Sequence, residues 1–327
     1  MRYISIFSTI FLLCFVPFAT AKIVFMSGWE IYKMDDDSGN VQRLTFNDVF
    51  DGLPRWAPDG RSIAFERQQP RETNEQNHDI FLMNLDGTQE RQLTTYTGLD
   101  ANHSWSSDSQ HLAFSSTRSG DRWSIHIIDI ETREVRELTR SIIKDQHTGS
   151  ASWSPDGKRI AYIVTKSNPF QEAIYTVNPD GKNPRRITKY DDLTLYSLDW
   201  SPDRKLLLYC EDKYNGRVLI KNRIVIHNVV SGISSRELVM PRHEKWYING
   251  ACWMGTQHVL ILATENYNAP DGGQSDIFKY TLATDEITIL TNTPRRNEGS
   301  MDWIRDSALA VTPAGKLTVR WGELKKF

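Results

Sequence analysis

Polar side chains that can bind a cation recur a few residues ahead of six regularly spaced tryptophans. In chain order these side chains are Asp51, Asp100, His103, His147, Tyr196, Asn249 and Glu298. Carboxylates and imidazoles bind divalent cations, and they lose affinity in acid as they take up protons. If their segments converge on one axis, the set could hold a divalent cation or a small polar ligand at a channel mouth. The alternative is a water-filled channel with polar walls, and Tyr196 and Asn249 do not suit a symmetric metal cage.

The six tryptophans set the spacing of these residues. They lie 47 to 53 residues apart, at Trp56, Trp105, Trp153, Trp200, Trp253 and Trp303. A turn resembling Trp-Ser-Pro-Asp-Gly follows most of them, as at 56–60 and 153–157, and a Leu-Thr-like pair, first at 44–45, repeats in phase. Two markers in phase indicate a sixfold repeat. A residue that every repeat needs is a structural anchor rather than a catalytic group.

Each repeat predicts four short antiparallel strands. The turn is followed by an apolar run such as 63–65, and then by an alternating run such as 79–83 that ends near an Asp-Gly pair. Period-two alternation predicts strands, and Asp-Gly favours tight hairpins. Six such units predict an all-β, six-bladed β-propeller over 22–327. Because the chain enters late in one repeat and leaves early in another, we expect N- and C-terminal strands to share the closing blade.

The first 21 residues predict a secretory signal peptide. Arg2 precedes an apolar stretch over 4–18 and the segment Ala19-Thr20-Ala21, so we expect cleavage after Ala21 and a periplasmic or secreted protein. No later segment reaches the roughly 20 apolar residues of a spanning helix, so we expect no membrane insertion. A net charge of −2 does not favour a polyanion, which argues against nucleic acid. We expect a monomer.

No local motif predicts a catalytic site. Gly-x-Ser-x-Gly, His-Glu-x-x-His and Cys-x-x-Cys do not occur in the sequence. No cofactor is expected, and the divalent cation in the channel is the alternative. An enzyme whose catalytic residues are scattered around a channel would escape this search. We expect Cys210 and Cys252 to be buried free thiols, with a disulfide between them as the alternative.

The repeats resemble those of the TolB-like six-bladed propellers. The resemblance is carried by residues 153–162, 80–87 and 91–94 and covers nearly all of the chain beyond the signal, although the last two repeats lack the Pro-Asp-Gly turn. TolB carries an α/β domain ahead of its propeller, and we expect none here because blade sequence begins at Lys22. The resemblance implies an exported, non-catalytic binding or scaffold protein at the bacterial envelope. A propeller lyase or glycoside hydrolase, or a small-ligand or metal binder, is the alternative.

The predicted blades present two unlike faces. The tight Pro-Asp-Gly and Asp-Gly turns lie on one face, and the long connections lie on the other, where we expect an envelope or secreted protein to bind. Exposed aromatic side chains contribute strongly to interfaces. The candidate anchors on the long-connection face are Phe170, Tyr214, Trp246, Tyr247 and Tyr267.

Overall fold

The computed structural model describes residues 22–69, 77–120, 122–139, 146–238, 246–265, 273–292 and 298–304. In this part of the chain, 24 strands form six antiparallel sheets of four strands each, and no helix occurs. The sheets are the blades of a six-bladed β-propeller, as predicted. The predicted signal peptide and the candidate anchor Tyr267 lie outside the described residues.

Blades one to three follow the chain in order. Blade one contains β4 (Asp51–Trp56), β5 (Ser62–Gln69), β6 (Asn77–Asn84) and β7 (Arg91–Gln92). Blade two contains β8 (Asp100–Trp105), β9 (His111–Ser116), β10 (Ser124–Asp129) and β11 (Val135–Glu137). Blade three contains β12 (His147–Trp153), β13 (Ile160–Ser167), β14 (Phe170–Val177) and β15 (Arg185–Arg186).

Blades four to six complete the ring. Blade four contains β16 (Thr194–Trp200), β17 (Leu206–Asn215), β18 (Val218–Asn228) and β19 (Ile233–Glu237). Blade five contains β20 (Trp246–Met254), β21 (His258–Glu265), β22 (Gln274–Thr281) and β23 (Glu286–Ile289). Blade six combines the two chain ends in β24 (Glu298–Ile304), β1 (Lys22–Ser27), β2 (Glu30–Asp35) and β3 (Gln42–Arg43).

Blade six closes the ring as the repeat phase predicts. Its inner strand β24 pairs antiparallel with β1, so that Ile304 lies opposite Lys22 and Met301 lies opposite Phe25. Pairing of the first and last strands removes the open sheet edges that a linear array would expose. The two ends of the described chain are therefore held in one sheet.

The repeat tryptophans pack between neighbouring blades. Trp153, for example, joins Ile125 and Leu138 of blade two to Ile160 and Tyr162 of its own blade in one apolar cluster. Some indoles also bond across the blade boundary. The Nε1 atom of Trp105 donates to the carbonyl of Arg55, and that of Trp200 donates to the carbonyl of Ser152, both at 3.1 Å. Each such tryptophan fixes its blade against the preceding one.

The Leu-Thr marker is explained by a repeated hydrogen bond. In five blades the threonine Oγ1 accepts the backbone N–H of an isoleucine that lies 14 residues earlier. These pairs are Thr45 with Ile31, Thr94 with Ile80, Thr139 with Ile125, Thr188 with Ile174, and Thr291 with Ile277. The hydroxyl satisfies a third-strand N–H that would otherwise be buried without an acceptor.

A bulge three residues before the tryptophan recurs in four inner strands. The register shifts there, and Leu53, Asn102, Ser150 and Ser197 have φ angles of 48°, 53°, 52° and 52°. A β-bulge re-aims the side chains that follow it. It therefore decides which residues of the inner strands line the propeller axis.

Cys210 and Cys252 are free and buried in neighbouring blades. Burial raises the pKa of both thiols above the ordinary cysteine value. A raised pKa keeps them in the unreactive thiol form at neutral pH.

Candidate functional site

A cavity of about 420 Å³ lies on the propeller axis at the tight-turn face. All six repeat tryptophans line it, together with Pro58, Pro155 and Pro202 of the turns that follow three of them. Five of the indoles are buried and Trp303 is partly buried, so only a small part of the five buried rings contributes to the wall. The six repeats thus surround the cavity on the axis with aromatic side chains.

The floor of the cavity is formed by residues that immediately precede the repeat tryptophans. These residues are Arg55, Ser104, Ser152, Asp199 and Asp302. Three of them accept a backbone N–H from the inner strand of another blade. Their partners are Trp56 for Asp302 at 2.8 Å, Trp253 for Asp199 at 2.9 Å, and Trp153 for Ser104 at 2.9 Å. The same side chains therefore hold the ring together and face its cavity.

Two carboxylates share one arginine in this floor. The Nη1 atom of Arg55 donates to the carbonyl of Met301 at 3.1 Å and lies 3.8 Å from Oδ1 of Asp302. Burial raises the pKa of Asp199 to about 7; the N–H of Trp253 and the charge of Arg55 offset this only in part, and the charge of Asp302 adds to it. Burial also raises the pKa of Asp302, against the opposing effect of Arg55. The floor carries excess negative charge when both carboxylates are ionised.

His103 is the member of the predicted channel-mouth set that lines this cavity. Its side chain is buried, and its Nδ1 atom lies 3.6 Å from Oε1 of Glu66. Burial acts to raise the pKa of Glu66, but His103, His78 and the N–H of Asn102 together hold that pKa below its usual value. The carboxylate of Glu66 is therefore negatively charged and lies next to the imidazole of His103.

Asp51 and Asp100 are fully buried and bound by arginines. Arg67 donates to both carboxylate oxygens of Asp51 at 2.6 and 2.7 Å, and Asn47 donates to one of them. Arg118 donates to Asp100 at 2.5 Å, and Ser116 donates at 2.6 Å. Burial still raises the pKa of Asp100, because the bonds from Ser116 and Arg118 offset it only in part. Both carboxylates thus have structural partners, and a ligand-binding role stays a prediction.

The remaining predicted channel residues occupy separate environments. His147 lines a second cavity of about 190 Å³, where its Nδ1 atom accepts the N–H of Trp123 at 3.3 Å. Asn249 donates to Oγ1 of Thr264 at 2.8 Å, and Glu298 is buried at the start of β24. Within the described ranges, no three His, Cys, Asp or Glu side chains form a group able to hold a metal ion. A divalent cation in the channel therefore stays a prediction.

On the long-connection face, three tyrosine hydroxyls meet at one buried carboxylate. Tyr196 donates to Oδ1 of Asp212 at 3.1 Å, and Tyr214 and Tyr247 donate to Oδ2 at 3.1 and 3.2 Å. The amide of Asn222 adds a bond of 2.6 Å to Oδ1. Burial is the main cause that raises the pKa of Tyr196 and Tyr247, and nearby charges, including that of Asp212, raise it further. These phenols therefore stay protonated and can donate hydrogen bonds. The cluster spans blades four and five and brings together two of the predicted anchors.

The β17–β18 hairpin above this cluster exposes apolar side chains. Tyr214, Val218 and Ile220 are 43%, 64% and 56% exposed, and Phe170 is also exposed at the tip of the neighbouring β13–β14 hairpin. Trp246 is partly buried and packs edge-on against Phe278 with ring centroids 4.9 Å apart, and its role as an anchor stays a prediction. Sequence reasoning missed Val218 and Ile220, although the apolar residues at 218–220 interrupt an otherwise polar connection.

The structure defines the class of protein. It is a six-bladed propeller with an aromatic cavity on its axis and an apolar hairpin on the opposite face. The chain belongs to the TolB beta propeller domain family, whose model matches residues 54–221. This confirms the resemblance found in the sequence.

Individual relatives match parts of the chain. A Tol-Pal system protein TolB from Francisella tularensis subsp. mediasiatica is 35% identical over 88 residues, which are 27% of this chain and 19% of that protein. The chain thus aligns with about a fifth of the length of the curated relatives it matches.

Two solved structures are similar in fold. TolB from Acinetobacter baumannii matches with a TM-score of 0.66 and 17% identity, over 87% of this chain and 66% of that one. Hydrazine synthase from Kuenenia stuttgartiensis matches with a TM-score of 0.67 and 13% identity, over 89% of this chain and 47% of that one. At these identities the likeness establishes the fold alone, since one propeller fold serves both TolB and an enzyme.

Proposed function

We propose that this protein is an exported binding module of the bacterial periplasm that docks another envelope protein through its long-connection face. The observation that carries the proposal is the exposed apolar surface of the β17–β18 hairpin. Membership of the TolB propeller family supports the envelope as the compartment, as does the signal peptide predicted from the sequence. In the described part of the chain, no helix is long and apolar enough to cross a membrane.

The hairpin extends beyond its neighbours. Its strands β17 and β18 contain 10 and 11 residues, whereas β13 and β14 of blade three contain 8 residues each. Counted from the pairs Trp200–Leu207 and Trp153–Ile160, β17 runs one residue further toward its tip than β13, which is about 3.3 Å. The exposed side chains of Val218 and Ile220 lie at this tip, where a partner can contact them.

The base of the hairpin is held in place before any partner arrives. Asp212 fixes the hydroxyl of Tyr214, and Tyr196 and Asn222 in turn fix Asp212. Side chains that are already ordered lose less conformational entropy on binding. Clustered apolar side chains on such a surface typically mark a protein interface, and aromatic residues dominate the binding energy there.

Site-specific photocrosslinking in the native envelope tests the proposal. Val218 and, separately, Phe170 are replaced by p-benzoylphenylalanine, and Val230 receives the same replacement as the control. Val230 is 74% exposed, but it lies after β18 in the turn on the tight-turn face of the same blade. We expect positions 218 and 170 to capture one shared envelope protein that position 230 does not capture.

A second measurement links the captured protein to the hairpin. Val218→Ser and Ile220→Ser should reduce its recovery by about tenfold, since each removes buried apolar area from the interface. Val230→Ser should leave recovery unchanged. The proposal fails if positions 218 and 230 capture the same set of proteins, or if the hairpin variants recover the partner as well as the wild type does.

A further inference from the structure

We propose that the tight-turn cavity binds an organic cation, meaning an ammonium or guanidinium group on an apolar stem, such as a free alkylamine or the side chain of a lysine or arginine in a peptide. This site lies on the face opposite the hairpin and does not depend on the proposed envelope partner. Its volume of about 420 Å³ falls within the range of small-ligand pockets.

The wall of the cavity suits the apolar stem of such a ligand. The exposed parts of tryptophan rings provide apolar surface for an alkyl chain. All six repeat tryptophans and three prolines contribute to this wall. An alkyl stem in contact with these rings loses its exposure to water, while its charged end is directed to the floor.

The floor supplies the complementary charge. Asp199 and Asp302 face the cavity, and among the described residues that line it Arg55 is the one arginine or lysine, with His103 as a lining imidazole. Arg55 Nη1 lies 3.8 Å from the Asp302 carboxylate, so it balances at most one of the two acids. A ligand cation balances the other, and the hydroxyls of Ser104 and Ser152 are further acceptors for its N–H groups.

The same floor discriminates against other ligand charges. A ligand carboxylate would meet two aspartates and would gain attraction from one arginine alone. A neutral alcohol of the same length would gain only the apolar contact with the wall. The cavity therefore predicts the order ammonium, then alcohol, then carboxylate for ligands of equal stem length.

Calorimetric titration at pH 8.5 with n-butylammonium, n-butanol and butyrate tests this order. We expect n-butylammonium to bind about tenfold more tightly than n-butanol, with no measurable binding of butyrate. Equal affinity for the ammonium and the alcohol, or no binding of the ammonium, overturns the proposal. A parallel titration with acetyl-Gly-Lys-Gly-amide separates the two sources of the cation: tighter binding than n-butylammonium assigns a peptide side chain, and weaker binding assigns a free amine.

Matched variants locate the charge. Asp199→Asn and Asp302→Asn each keep an oxygen that can accept the N–H of Trp253 or Trp56, so the ring is preserved while the charge is lost. Each should weaken n-butylammonium binding by about tenfold. Asp180→Asn is the control, because it removes an exposed charge from the β14–β15 turn of the same face. Equal weakening by the control overturns the proposal.

The pH dependence of n-butylammonium binding to the wild-type protein is a further test. Asp199 faces Arg55 and Asp302, the buried thiol of Cys252 lies within its electrostatic reach, and His103 lines the same cavity and acts on Asp302. Because the pKa of Asp199 is raised to about 7, n-butylammonium affinity should increase as the pH rises from 6 to 8. An affinity that does not change over this range contradicts an anionic floor.

Discussion

The Oδ2 atom of Asp302 accepts the backbone N–H of Trp56 at 2.8 Å, although 246 residues separate them in the chain. Asp199 makes the equivalent bond to Trp253, and Ser104 makes it to Trp153. These bonds run between inner strands around the axis. The one made by Asp302 joins the closing blade to blade one and therefore secures the ring where the chain begins and ends.

We expect Asp302→Ala to lower the free energy of unfolding by about 1–3 kcal/mol, because it leaves the N–H of Trp56 without its acceptor. Urea denaturation followed by tryptophan fluorescence measures the change. Asp180→Ala removes an exposed turn carboxylate that accepts the N–H of Lys182 at 3.0 Å, and should lower the midpoint by much less. If the bond between Asp302 and Trp56 does not stabilise the closed ring, the two variants will unfold at the same urea concentration.

Thr94→Val should cost about 1–3 kcal/mol of stability. The substitution preserves shape but removes the hydroxyl that accepts the N–H of Ile80 at 3.0 Å and donates to Asp79 at 3.1 Å. Thr94→Ser keeps the hydroxyl and should retain most of the stability. Thermal unfolding of the three proteins decides the matter: a loss in Thr94→Ser without a loss in Thr94→Val would show that packing of the methyl group, rather than the hydrogen bond, explains the marker.

Arg67→Met should destabilise the protein by about 3–5 kcal/mol, since it leaves the buried carboxylate of Asp51 without its cation. Arg61→Met is the matched control, because Arg61 is exposed and lies 4.0 Å from an exposed aspartate. Chemical denaturation provides both values. If Arg67→Met is as stable as the control, the stability of the fold does not depend on the ion pair between Arg67 and Asp51. Asp51 could then serve as a ligand.

Asp199 and Asp79 should lower the free energy of unfolding as the pH rises from about 4 to 7. Burial raises their folded-state pKa values to about 7 and about 6, above the ordinary value of 3.8. These two carboxyl groups therefore bind more protons in the folded protein than in the unfolded chain in this window, whereas His126, whose pKa burial lowers to about 4, contributes in the opposite direction. Asp199→Asn removes one of these protons and should make the decline shallower in urea titrations at pH 5 and pH 8. An unchanged slope would show that Asp199 has an ordinary pKa.

Local chemistry explains why the fold was predictable. The turn after Trp153 requires Asp156 to accept the N–H of Lys158 at 3.2 Å, and the same Asp bond recurs in the turns after three other repeat tryptophans. Such contacts lie within a few residues, so they leave a periodic signal in the chain. The exposure of the candidate anchors could not be predicted from the sequence, because it depends on what packs against each side chain: Tyr214 is exposed, whereas Trp246 is partly buried.

The sequence alone determined the sixfold repeat, the four-stranded blades and the blade shared by the chain ends, because strand period, turn residues and repeat phase are local properties. Tertiary structure alone revealed the partners of the candidate residues. Arg67 binds Asp51 and Arg118 binds Asp100, and their role as ligands stays a prediction. The cavity floor is formed by residues one position before five of the six tryptophans, since a bulge sets the direction of inner-strand side chains and the closing of the ring brings distant segments to one axis.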